Sequence, residues 1–139
     1  MIELNYQNDF EHLDELIHTK WLEQIAVTEA KTIGEISYVF CSDEFLLSIN
    51  QDYLNHDTFT DIITFDYCEE GLINGEIYIS TDRVKENASS FGVSLTNELL
   101  RVMAHGLLHL CGYGDKSEAE AQLMRDKENE KIGMFHVKQ

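Results

Sequence analysis

The chain has 139 residues, of which 43% are hydrophobic, enough to form one domain around a buried core. Its formal net charge of −16 excludes a broadly basic nucleic-acid-binding face, and no apolar run approaches the roughly 20 residues of a membrane helix. Three widely spaced cysteines (Cys41, Cys68, Cys111) argue against a disulfide framework. With an N-terminus that has no basic start and apolar stretch, they point to a cytoplasmic protein.

Residues 2–6 alternate apolar and polar, as a half-buried strand does. Residues 10–30 carry Phe10, Leu13, Leu16, Ile17, Trp21 and Ile25 at mostly helical spacing and predict an amphipathic helix. His12 and His18 fall on it and read as surface residues. Residues 35–41 predict a second strand. Ser42 or Asp43 can cap a helix over about 43–54. A polar connection follows, then a strand at 61–66, a loop at 69–75 and a strand at 76–80. The Gly-rich loop between them makes those two strands an antiparallel pair. Thr81 or Asp82 can cap a short helix ending near Phe91-Gly92. Ser94 or Thr96 starts a helix to about Leu110. Ser117-Glu118-Ala119-Glu120 fits a capping box that opens a last helix through about Asn129. The sum is a single α+β domain over 1–139. It has a small mixed β-sheet of about four strands, one face covered by helices.

The chemistry concentrates in residues 101–116. His105 and His109 are four apart, so on a helix both imidazoles share one face. Gly112 can end that helix in a left-handed conformation and let the chain turn Asp115 back toward them. Two nitrogens, one carboxylate and an open fourth position describe a catalytic zinc-type site. Such a metal acidifies its water to a pKa of about 7 in the best cases and polarises a carbonyl or phosphoryl oxygen. Cys111 is two residues from His109, on another helical face, and reads as core rather than ligand.

The spacing His-x3-His-x2-Gly-x2-Asp matches the extended metalloprotease motif with one difference. Gly106 stands where those peptidases carry their glutamate base, which counts against peptide hydrolysis. Gly106 leaves room for close helix packing or for substrate. Further back on the same face are Arg101 and Glu98. Arg101 can contact a phosphate and Glu98 can orient an imidazole, or the two form an ordinary i, i+3 ion pair. The acidic excess lies wholly in residues 1–100, which hold 20 acids and 4 bases; residues 101–139 hold six of each. That excess reads as a solvated acidic surface.

At this point the sequence resembles the YbeY family of metal-dependent endoribonucleases. The family motif His-Gly-x-Leu-His-Leu-x-Gly-Tyr-Asp-His is similar to His105-Gly106-Leu107-Leu108-His109-Leu110-Cys111-Gly112-Tyr113-Gly114-Asp115. The upstream family segments are similar to Asn50-Gln51-Asp52-Tyr53-Leu54, to Thr60-Asp61-Ile62-Ile63-Thr64-Phe65 and to Gly75-Glu76-Ile77-Tyr78-Ile79-Ser80. The resemblance implies an α+β fold with one zinc held by His105, His109 and Asp115. It also implies maturation of the 3′ end of small-subunit (16S) rRNA and ribosome quality control. Two positions depart from the pattern. Asp115 stands for the family's third histidine, which lowers the site's positive charge and admits harder metals. Leu54 stands for an arginine, so a phosphate contact would fall to Asn55, His56 or Arg101.

The expected function is therefore a zinc-dependent, single-strand-specific endoribonuclease acting on rRNA precursors. Thr60 and Asp61 would line its cleft, or Asp61 merely turns the chain at the strand start. One rival is a metal-dependent hydrolase of a peptide or amide, which needs a carboxylate to replace the missing glutamate. Another is a non-catalytic ribosome-assembly factor whose metal is closed by a fourth ligand from Cys111, His56 or His136. Its acidic face would suit a basic ribosomal protein or an assembly GTPase.

Overall fold

The structure is a computed structural model that describes residues 1–54 and 60–137. Its elements, in chain order, are β1 (Ile2–Tyr6), α1 (Glu15–Thr28), β2 (Thr32–Cys41), α2 (Asp43–Leu54) and β3 (Ile62–Asp66). Then come β4 (Leu72–Ser80), α3 (Thr81–Phe91), α4 (Leu95–Leu110) and α5 (Glu118–Val137). The four strands form one mixed sheet in the order β1-β2-β4-β3. β1 and β4 both run parallel to β2, whereas β3 pairs antiparallel with β4. The predicted antiparallel pair and the mixed α+β class both hold.

Alternation along the strands sorts the residues into two cores. Ile36, Tyr38 and Phe40 of β2 and Ile73, Ile77 and Ile79 of β4 meet Trp21, Leu22 and Ile25 of α1 and the apolar stripe of α4. Val84 of α3 and Met124 and Ile132 of α5 close that core. The opposite face carries a smaller cluster, in which Leu46 and Ile49 of α2 cover Cys41 and Ile63. Helices thus lie on both faces, not on one as expected from the sequence.

Other boundaries differ for physical reasons. α1 begins at Glu15, because Asp14 caps it by accepting from the Ile17 amide at 3.1 Å. His18 is buried rather than a surface residue; its Nδ1 lies 2.7 Å from the Asp14 carbonyl. β4 begins at Leu72 instead of 76, since pairing Thr32 with Leu72 and Asp66 with Gly75 recruits residues whose own propensity is turn-like. α5 continues past Asn129 to Val137, where Phe135 meets the Trp21 ring edge-on and the Trp21 indole donates to the Lys131 carbonyl.

Two glycines let α4 lie close against the sheet. A Cβ on Gly106 would stand 2.9 Å from Ile77 and 3.0 Å from Ile62; one on Gly75 would stand 3.1 Å from Leu110. Of the two reasons for a glycine after the first histidine, the structure carries close packing.

Candidate metal centre

Ser94 caps α4 by accepting from the Asn97 amide at 3.0 Å, as one of the two predicted caps. The other end explains the site. Gly112 has φ +111°, and its amide donates to the His109 carbonyl while the Tyr113 amide donates to that of Leu108. This is the paired bonding of a Schellman stop. It reverses the chain, and three residues later Asp115 faces the histidines. The loop is then held by the capping box: the Ser117 amide donates to Glu120 Oε1 and the Glu120 amide to Ser117 Oγ.

His105 Nε2 lies 3.3 Å and His109 Nε2 3.5 Å from Asp115 Oδ2. One ligand atom from each of these three residues lies within 4.8 Å of the others. The far side of each ring is already engaged. His105 Nδ1 is 2.6 Å from Glu128 Oε2, and His109 Nδ1 is 2.8 Å from the Tyr113 carbonyl. Both partners accept, so each Nδ1 carries the proton and each Nε2 keeps its lone pair toward Asp115. A donor set of two imidazole nitrogens and one carboxylate, each imidazole oriented from behind, fits a divalent metal. Burial opposes protonation of His105, but Glu128, Asp115 and Asp61 outweigh it and push its pKa up. That field favours a cation at this place.

The structure changes two readings of the α4 face. Glu98 does not orient an imidazole, and it does not pair with Arg101. Glu128 of α5 does both jobs: Oε2 faces His105, and Oε1 accepts from Arg101 at 3.0 Å. Arg101 also donates to Asn129 Oδ1 at 2.8 Å. A sequence signal for Glu128 exists: it is an acid on the buried Met124–Ile132 stripe of α5, four residues from each. Among the described residues, neither Cys111 nor His136 joins the ligand group. Burial, with Glu29 adding to it, raises the Cys111 thiol to about 11, the opposite of a ligating thiolate. His56 and Asn55 lie outside the described residues.

His105, His109 and Asp115 open into a cavity of about 790 Å³. Its walls are the α4 face from Glu98 to His109, residues 60–66 of the β3 edge, the end of α3, and α5 from Ala121 to Glu128. Thr60 and Asp61 both line it. The Asp61 carbonyl accepts from the Ser80 amide, and burial raises its carboxyl pKa. The bases near the motif are largely committed. Lys131 is fully buried against Glu29 and Glu130, and Lys127 pairs with Glu29.

A family profile described as Endoribonuclease YbeY matches residues 3–136. Endoribonuclease YbeY of Flavobacterium johnsoniae is 55% identical over 139 residues, covering 100% of both chains. That of Bacteroides thetaiotaomicron is 47% identical over 116 residues, covering 84% of this chain and 85% of its own. The solution structure of TM1509 from Thermotoga maritima superposes with a TM-score of 0.74 at 29% identity, covering 97% of this chain and 89% of that one. A profile match over nearly the whole length and relatives above half identity lead to one conclusion: this chain belongs to the YbeY endoribonuclease family.

Proposed function

We propose that this chain is a cytoplasmic, zinc-dependent endoribonuclease of one domain. Its substrate is single-stranded RNA, in particular the 3′ end of the small-subunit rRNA precursor. His105, His109 and Asp115 hold the metal. The observation that carries this reading is the pair of imidazoles, each bonded at Nδ1 and each turning Nε2 toward one carboxylate at the mouth of a large cavity.

A divalent ion there supplies a Lewis acid toward a phosphodiester oxygen and acidifies water. The chain does the rest. Glu128 fixes the His105 ring and anchors Arg101 beside it. A guanidinium has five N–H donors, so Arg101 keeps some for a phosphate oxygen after serving Glu128 and Asn129. Asp61, raised by burial, is placed to take or return a proton from the opposite wall. The acidic surface of residues 1–100 suits a basic ribosomal protein or an assembly GTPase as partner.

The reading is tested by metal content, measured by mass spectrometry, of wild type beside His109→Ala and Asp115→Ala, followed by cleavage of single-stranded RNA. Loss of about one zinc per chain in both variants, together with loss of cleavage, supports a three-ligand open site. A wild type without metal, or an Asp115→Ala variant that keeps it, refutes the ligand set. The non-catalytic rival then leads.

A further inference from the structure

Glu98 lies seven residues before His105 on α4, about 10 Å along the axis. It is 4% exposed, yet it lines the same cavity as the metal ligands. Among the described residues none donates a hydrogen bond to its carboxylate; Arg101, less than one turn away, serves Glu128 and Asn129 instead. The Glu98 carboxylate oxygens are not among the buried atoms left without a partner; they open into the cavity. Burial pushes the Glu98 pKa up, and Asp61 and Glu128 add to this against the pull of Arg101. A carboxylate facing the cavity with no protein donor is free to accept from a ligand that brings N–H groups.

Two residues of α3 line the same cavity, Asn87 and Phe91. Four apart, they share one helix face. Only Gly92, Val93 and Ser94 separate Phe91 from α4, so both sit toward the end of the cavity that carries Glu98. Gly92, in the left-handed conformation at φ +69°, makes that sharp turn possible. Phe91 is 64% exposed, a large aromatic face left open to solvent at a cavity wall.

We infer that this end of the cavity is a nucleobase subsite: Phe91 offers a stacking face, while Glu98 and Asn87 read guanine, the base whose edge presents two adjacent N–H donors beside a carbonyl. The inference rests on the ribonuclease reading for the nature of the polymer. Stacking on an aromatic ring holds any unpaired base, and a carboxylate accepts from guanine N1–H and N2–H together, whereas uracil offers N3–H alone and adenine or cytosine a single amine. Asn87 supplies both a donor and an acceptor for the rest of the base edge. Arg125 of α5, in the same wall, brings positive charge for the neighbouring phosphate.

The test mixes the metal-loaded full chain with short single-stranded RNAs varied at one position. Affinity is read by stopped-flow anisotropy before any cutting, and products are then sequenced. Guanine at one position should bind at least roughly fivefold tighter than adenine, cytosine or uracil, the effect of about one hydrogen bond. Glu98→Gln should erase that preference. Phe91→Ala should weaken all four RNAs by roughly tenfold, and Phe91→Trp should restore them. Phe91 is exposed, so its variants test the subsite even where Glu98→Gln fails to fold. Equal affinity for all four bases, a preference that survives Glu98→Gln, or wild-type binding by Phe91→Ala overturns the inference. Binding with the expected preference but no cutting refutes the nuclease reading and leaves the subsite standing. Cutting without preference does the reverse.

Discussion

Glu128 Oε2 lies 2.6 Å from His105 Nδ1, so an imidazole on α4 takes its orientation from a carboxylate on α5. Glu128 is 5% exposed, and its other oxygen is fixed by Arg101. The imidazole therefore has little freedom to turn its Nε2 away from Asp115. Replacing Glu128 with Ala removes the acceptor while leaving all three ligands in place. Zinc affinity, measured by competition with a chromophoric chelator, should fall by roughly 10- to 100-fold. Wild-type affinity in Glu128→Ala would mean that packing alone orients His105.

On the proposed ligand set, Asp115 decides which metal the site prefers. A carboxylate oxygen is a harder ligand than an imidazole nitrogen and adds a negative charge. Changing Asp115 to His should keep metal binding but move the zinc-to-manganese affinity ratio toward zinc, by roughly tenfold. Competitive loading of both metals, quantified by mass spectrometry, reads the ratio directly. An unchanged ratio would remove Asp115 from the ligand set.

The meeting of His105, His109 and Asp115 was legible in the sequence because all three residues are local. Helical spacing brings His105 beside His109, and Gly112 announces the turn that returns Asp115. Glu128 was not legible as their partner. It meets His105 only because α5 packs along α4, a contact 23 residues apart in sequence. Glu98 shows the converse. The one-dimensional pattern puts it on the ligand face and suggests a partner for a histidine or for Arg101, but α5 supplies a better placed acid and leaves Glu98 to the cavity. Strand β4 was cut short for a related reason. Asn74 and Gly75 look like turn residues until β2 and β3 pair with them from both sides. Among the sheet and helices, the elements with strong periodicity were found, with bounds that differ at α1, β4 and α5. The residues whose state depends on a distant partner were not.

Gly106 gives a stability prediction separate from the chemistry. A methyl group there would meet Ile77 at 2.9 Å and Ile62 at 3.0 Å, both in the wall that α4 presses against. Overpacking of that kind costs about 1–3 kcal/mol. Gly106→Ala should lower the urea midpoint correspondingly with an unchanged slope. A variant as stable as wild type would show that the two isoleucines yield freely. It would also reopen Gly106 as a place for substrate.

Glu29 makes part of the stability pH-dependent, far from the ligands but joined to their loop. Its Oε1 accepts from the Tyr113 hydroxyl at 2.6 Å, and its Oε2 accepts from Lys127 at 3.1 Å and lies 2.8 Å from the Lys131 ammonium. Burial alone would raise its pKa, but Lys131, Tyr113 and Lys127 outweigh burial and lower it from 4.5 to about 2. A carboxyl with a depressed folded-state pKa stabilises fully above its unfolded value. Its contribution fades as pH falls from about 4.5 toward 2. Glu29→Gln lacks that titration. The stability gap between wild type and Glu29→Gln, from urea unfolding, should therefore narrow by about 2 kcal/mol between pH 5 and pH 3. A gap that stays constant over that range would mean that Glu29 titrates alike in the folded and unfolded chain. The ion pairs to Lys127 and Lys131 would then contribute nothing net.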